Sequence, residues 1–199
     1  MPDANTQRRH VCRFILTGAP GSGKTSILRL LAAGGLTVVP EAATDVIAER
    51  QAAGSDQPWT DPSFIDAIVA LQRLRQGEAD AVTGHGQVQV YDRSPVCTLA
   101  LSRYLGYQVP AALTAEVSRI ARDGVYQRQA FLVRSVGSVE RTAARRISLA
   151  ESLEFERVHQ DTYRACGFQL IDVPAGPVTD RAALVQAAIR TMIGRPGSQ

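Results

Sequence analysis

Short, almost continuous apolar runs alternate along this chain with longer stretches in which apolar residues recur every three or four positions. The runs at 11–17, 36–40, 87–91, 130–133 and 168–173 read as buried strands. The intervening stretches read as helices. One covers 24–33 and carries Ile27, Leu28, Leu30 and Leu31, and a second covers 42–53. A third opens at Asp61-Pro62, a cap and first-turn pair, and carries Phe64, Ile65, Ile68, Val69 and Leu71. Two more cover 95–105 and 111–122, a longer one ends at Ala165, and a last one carries Val185, Ile189 and Met192. Glycines at 34, 35, 84, 86 and 167 punctuate the series.

Strands alternating with helices predict an α/β fold: five parallel strands covered by helices on both faces, with ligands outside the strand C-termini. At 199 residues one domain is expected, spanning 10–194, with 1–9 and 195–199 as flexible ends. Residues 134–147 stand apart, being rich in Arg and poor in large apolar side chains.

The turn after the first strand reads Gly18-Ala19-Pro20-Gly21-Ser22-Gly23-Lys24-Thr25-Ser26. This is a phosphate-binding loop in its required setting between a strand and a helix. Its glycines let the backbone approach phosphate, and the helix N-terminus adds partial positive charge. Lys24 is the only lysine in the chain. A slim ammonium on a flexible stem reaches β- and γ-phosphates where a planar guanidinium fits poorly. ATP is the expected nucleotide, although the residues leave GTP open, and Thr25 is placed to offer its hydroxyl to Mg²⁺.

Two acidic residues end strands and so face this loop. Asp92 reads as a Mg²⁺ ligand opposite Thr25, or as a helix cap. Glu41 reads as a general base or ligand of an acceptor hydroxyl, or as an acidic complement to a helix dipole. Arg93 follows Asp92 where hydrolytic P-loop ATPases commonly carry a second acid, and no Asn-Lys-x-Asp guanine-reading motif is present. Arg93 is suited to holding an acceptor, or to a surface ion pair. Arg141 and Arg145, four apart, with Arg146, read as a lid closing on the transferring phosphoryl group, or as a solvated helix start. Pro174 and Ala175 are placed to line the base, or form an ordinary turn; Trp59 covers an acceptor ring, or packs. His10, His85 and His159 show no partner spacing and receive no role.

The net charge of +3 comes from Arg interleaved with Asp and Glu, without a continuous basic stripe, so a nucleic-acid partner is not expected. The three cysteines lack metal-ligand spacing. Together with the absence of a leader or a membrane-length apolar run, they suggest a cytoplasmic protein. The oligomeric state is left open.

The motifs GAPGSGKTS, VVPEAATDVI, VYDRS and GFQLIDVP, with the Arg-rich stretch leading into a helix, resemble a P-loop family over residues 11–193. That family includes the kinase domain of NadR-type nicotinamide-riboside kinases and related AAA-labelled ATPases. In outline the chain is also similar to deoxynucleoside and thymidylate kinases. The resemblance implies Glu41 as base, Asp92 and Arg93 as metal and acceptor contacts, and the arginines after 140 as a lid. It implies transfer of the ATP γ-phosphoryl group to a hydroxyl of a nucleoside or other small metabolite in a pocket formed by 60–77 and 94–123. The alternative is an ATPase that acts as a nucleotide-gated switch for a protein or lipid partner; phosphorylation of a polynucleotide 5′-hydroxyl is a third reading.

Overall fold

The structure is a computed structural model and describes residues 11–82, 87–135 and 149–194. Its elements run β1 (Cys12–Thr17), α1 (Lys24–Ala33), β2 (Thr37–Val39), α2 (Ala42–Ala52), a short 3-10 turn (Pro58–Thr60) and α3 (Ser63–Val82). They continue with β3 (Val88–Asp92), α4 (Pro95–Tyr104), α5 (Ala111–Arg122), β4 (Gln129–Val133), α6 (Leu149–Ala165), β5 (Gln169–Val173) and α7 (Val178–Ile193). The five strands are all parallel in the order β2-β3-β1-β4-β5. The expected α/β architecture is therefore present. The Arg-rich segment expected to form a lid lies mostly outside the described residues, as do the two termini.

Period-two alternation sorts the strand side chains onto two cores. Phe14, Leu16, Val88, Val90, Phe131 and Val133 face α1 and α7, where they meet Ile27, Leu31, Val185 and Ile189. Ile15, Tyr91 and Ala130 face the other way, onto Val96, Ile120 and Tyr163. Beyond that second face, Val46, Phe64, Ile65, Ile68, Leu99 and Leu113 from α2 to α5 form a further apolar cluster. The central strands are consequently near-continuous hydrophobic runs, as a sheet covered on both faces requires. Edge strand β5 alone carries exposed positions, at Gln169 and Asp172.

Register places Leu16 of β1 beside Asp92 of β3, so the P-loop and the Asp92-Arg93-Ser94 turn leave the sheet side by side. The chain turns away from β1 at Gly18 with φ 136°. A Cβ there would stand 2.3 Å from the Val133 carbonyl oxygen, closer than any real side chain approaches. Gly18→Ala should therefore destabilise the fold by about 2–4 kcal/mol through strain and overpacking. Urea unfolding measures this, and a loss below about 0.5 kcal/mol, as at an ordinary surface site, would show that β4 yields freely.

Candidate active site

The P-loop connects β1 to α1, and Gly23 caps α1 in the left-handed region at φ 91°. Ser22 N–H donates to the Ala19 carbonyl at 3.2 Å, closing the loop on itself. Lys24 is 5 % exposed and its Nζ donates to the carbonyls of Gly18 (3.1 Å) and Ala19 (2.9 Å). Burial, with Arg93 nearby, lowers its pKa to about 8. Thr25 and Ser26 are exposed at the first turn of α1.

Asp92 is the last residue of β3, and the N-cap of α4 is Ser94. The capping alternative for Asp92 therefore gives way to a carboxylate lodged beside the P-loop. Its Oδ2 accepts from Thr25 Oγ1 at 3.5 Å, while its Oδ1 is buried with no hydrogen-bond partner. Burial raises the Asp92 pKa, and the neighbouring Glu41 pushes in the same direction against Lys24. An unsatisfied carboxylate oxygen beside a hydroxyl is the donor set a hard divalent cation accepts, so Thr25 and Asp92 fit Mg²⁺.

Glu41 occupies the N-cap position of α2. Its Oε1 meets Arg93 Nε at 2.5 Å and its Oε2 accepts from Thr44 Oγ1 at 3.0 Å. Burial opposes its ionisation, but Arg93, Lys24 and the Thr44 hydrogen bond outweigh it and hold its pKa below the ordinary carboxylate range. Arg93 is not at the surface: it is 9 % exposed and adopts φ 72°, the single positive φ outside glycine among the described residues. Such a conformation costs of order 1–3 kcal/mol and persists only where the surroundings over-determine it. Here they do. Besides the Glu41 ion pair, Arg93 N–H donates to the Leu16 carbonyl at 3.0 Å, and the guanidinium stacks 5.8 Å from the Phe155 ring centroid.

His159 completes this arrangement and was invisible in the sequence. It is fully buried on α6, with Nδ1 2.9 Å from the Phe155 carbonyl and Nε2 3.3 Å from Arg93 Nη1. A guanidinium only donates, so Nε2 accepts and the proton sits on Nδ1. Burial first, then the Arg93 charge, lowers its pKa to about 3. Behind it, Ser94 Oγ, Tyr163 OH, Cys97 Sγ and Thr17 Oγ1 form a buried hydrogen-bonded chain with links of 2.8, 3.0 and 3.4 Å.

In front of this cluster lies a cavity of ≈ 450 Å³ that reaches from Pro20 of the P-loop past Glu41 and Arg93 to α3, α4 and α6. Its walls include Phe64, Ile68, Cys97 and Leu101, within the two segments expected to form an acceptor pocket, and also Phe155 and Glu151 of α6, which were not foreseen. Trp59 both packs and lines: it joins the apolar cluster and the cavity wall, and its carbonyl accepts from Tyr107 OH at 2.6 Å. Pro174 and Ala175 lie exposed in the turn between β5 and α7. Arg141, Arg145 and Arg146 lie outside the described residues.

The buried neutral imidazole gives a pH signature. The unfolded chain protonates His159 near pH 6.5, whereas the folded chain does so only near pH 3. Between those values the unfolded state binds more protons, so this contribution is full above pH 6.5 and is lost as pH falls, by about 1.4 kcal/mol per pH unit. His159→Gln, which does not titrate, should show a shallower loss of stability than the wild type from pH 6.5 to 4, measured by urea unfolding. Equal slopes would mean that His159 charges without penalty.

A family model described as "AAA domain" matches residues 13–181. No curated protein matches the sequence. The structure is similar to the NadR protein solved with NAD and AMP-PNP, with a TM-score of 0.66 and 12% identity. That match covers 95% of this chain but only 51% of NadR, so the chain spans about half the length of that protein. It is also similar to deoxyadenosine kinase from M. mycoides, with a TM-score of 0.57, 11% identity, and 90% and 99% of the two chains covered. Thymidylate kinase from Candida albicans gives a TM-score of 0.55 at 12% identity, with 92% of each chain covered. These likenesses share the P-loop kinase fold, and the length of the family match, from β1 to the start of α7, shows that this chain belongs to the AAA domain family of P-loop NTPases.

Proposed function

We propose that this protein is a Mg-ATP-dependent kinase that transfers the γ-phosphoryl group to a hydroxyl of a nucleoside or similar small metabolite. The observation carrying this reading is the cavity of ≈ 450 Å³ that opens from Pro20 of the nucleotide-binding loop and is lined by Glu41 and Arg93 beside it. A pure ATPase needs no second pocket at that place, whereas group transfer needs an acceptor held in line with the nucleotide. The NadR and deoxyadenosine kinase neighbours, solved with nicotinamide- or deoxynucleotide-type ligands, support a nucleoside-like acceptor.

Charge in the cavity narrows the acceptor. Among its described lining residues Arg93 is the one side chain with a fixed positive charge, and it is already paired with Glu41. His159 is neutral, and the remaining charged lining group, Glu151, is acidic. An acceptor that already bears a phosphate would bring its dianion against apolar walls where the one fixed positive charge among the described lining residues is already paired. An unphosphorylated hydroxyl compound with a flat apolar body fits better.

In the proposed reaction Lys24 and the P-loop amides hold the β- and γ-phosphates. Thr25 and Asp92 are the residues that would hold Mg²⁺, which supplies charge neutralisation on the transferring phosphates. Glu41 accepts a hydrogen bond from the acceptor hydroxyl and takes its proton as transfer proceeds. Its low pKa suits a step with little bond formation to the nucleophile, in which orienting the hydroxyl matters more than basicity. Arg93 fixes the Glu41 carboxylate and stands ready to donate to the acceptor oxygen. Arg141 and Arg145 are proposed to supply guanidinium charge to the phosphoryl group, and Pro174 and Ala175 to line the base. No described helix is long and apolar enough to cross a membrane.

Glu41→Gln should lower acceptor-dependent turnover by about 10²- to 10⁴-fold, the usual worth of a positioned base, while ATP affinity stays nearly unchanged. Coupled ADP detection with and without added nucleosides, alongside calorimetric ATP binding, measures both. Turnover within twofold of wild type would remove Glu41 from the mechanism, and ADP formation indifferent to every acceptor would favour a nucleotide-gated ATPase.

A further inference from the structure

Arg181 lies in the first turn of α7, 159 positions from the P-loop residue it touches. Its Nη1 donates to the Ser22 carbonyl at 2.8 Å and its Nη2 to the Arg134 carbonyl at 2.9 Å. The side chain is 4 % exposed, and its Nε is buried without a partner. The contact with the loop is tight, since a Cβ on Gly23 would stand 3.0 Å from Nη1.

The partners of this guanidinium are unusual. The other buried or half-buried arginines among the described residues meet carboxylates, as Arg93 meets Glu41 and Arg134 meets Glu156 at 2.5 Å and Asp172 at 2.8 Å, while Lys24 lies against carbonyls of its own loop. Among the described residues Arg181 meets only backbone carbonyls, and burial lowers its pKa with no acidic neighbour to offset it. A buried cation without a counter-ion is costly to fold around and is ordinarily paired. Its position suggests what offsets that cost. The Ser22 carbonyl and the Gly23 N–H belong to one peptide unit, so a cation on the oxygen polarises that unit and strengthens its N–H as a donor on the opposite side. The loop thus receives positive charge on its carbonyl side from Arg181 and offers N–H groups on its phosphate side.

We propose that Arg181 is a nucleotide-positioning residue: from behind the P-loop it fixes the Ser22–Gly23 peptide and supplies buried positive charge for which the nucleotide phosphates are the counter-ion. This rests on the reading that the P-loop binds a nucleoside triphosphate. Arg134 extends the device, because its carbonyl holds Nη2 while its own guanidinium is anchored on α6 through Glu156 and on β5 through Asp172. The loop's shape is thereby tied to the helix that follows the Arg-rich segment.

Calorimetric titration of Mg-ATP into the full-length wild type, Arg181→Met and Arg181→Lys tests this, with thermal unfolding of each protein run in parallel. Arg181→Met should raise the Kd for ATP by about 10- to 100-fold, the worth of one charge-assisted hydrogen bond. Arg181→Lys, which keeps the charge but cannot hold two carbonyls in a fork, should raise it by less. A merely structural arginine would lower the Tm of both variants yet leave the Kd of the folded protein within twofold of wild type, and that result overturns the proposal. Should Arg181→Met fail to fold, Arg181→Lys decides by the same criterion. A wild type that does not bind Mg-ATP at all would defeat the P-loop reading itself, and this inference with it.

Discussion

The ion pair between Glu41 and Arg93 is the contact on which the site depends. Each partner follows a different strand, Glu41 two residues past β2 and Arg93 directly after β3, and the pair at 2.5 Å binds those strand ends together where they border the P-loop. A buried pair of this kind contributes little net stability by itself, because desolvation offsets much of its Coulombic attraction. Its worth lies in geometry. It holds Arg93 at a positive φ that few residues adopt unaided, keeps Glu41 ionised against burial, and neutralises two of the charges that line the cavity.

Around that pair the other charges fall into an order set by burial and sign. His159 stays neutral so that it can accept from Arg93, and the tautomer is dictated by the Phe155 carbonyl on its other side. Asp92 keeps one oxygen for Thr25 and leaves the other unpaired. Lys24 lies along the carbonyls of its own loop with a depressed pKa. Two cations, Lys24 and Arg181, therefore flank the P-loop and two carboxylates, Asp92 and Glu41, stand across from it. Bringing a polyphosphate and a divalent cation into such a site adds opposite charges in the places where each is scarce.

Much of this arrangement was legible in the sequence because its signals are local. The strand, P-loop and helix of residues 12–33 declare themselves through periodicity and glycine spacing, and Glu41 and Asp92 through their position at strand ends. The strand β2 proved shorter than its apolar run suggests, since only Thr37–Val39 finds partners on β3. What stayed hidden depends on distance along the chain. His159 meets Arg93 across 66 positions and Arg181 meets Ser22 across 159, and no spacing rule relates residues on separate helices. Arg93 illustrates the same limit in another way: its place after Asp92 marks it as functional, but only the fold shows that its ion pair is buried, strained in backbone and shared with an imidazole. Arg134 was grouped with a lid, whereas its side chain is fixed between α6 and β5.

In the proposed reaction the cavity beside Glu41 and Arg93 holds a hydroxyl acceptor for phosphoryl transfer. Mass spectrometry on the full-length protein with Mg-ATP and a pooled set of nucleosides, their 5′-monophosphates and other small alcohols tests it most directly, with Lys24→Ala as the control. An unphosphorylated nucleoside or similar alcohol should gain the mass of one phosphate, with no such product from Lys24→Ala. ADP without any phosphorylated product, or a product formed only from a monophosphate, would contradict it.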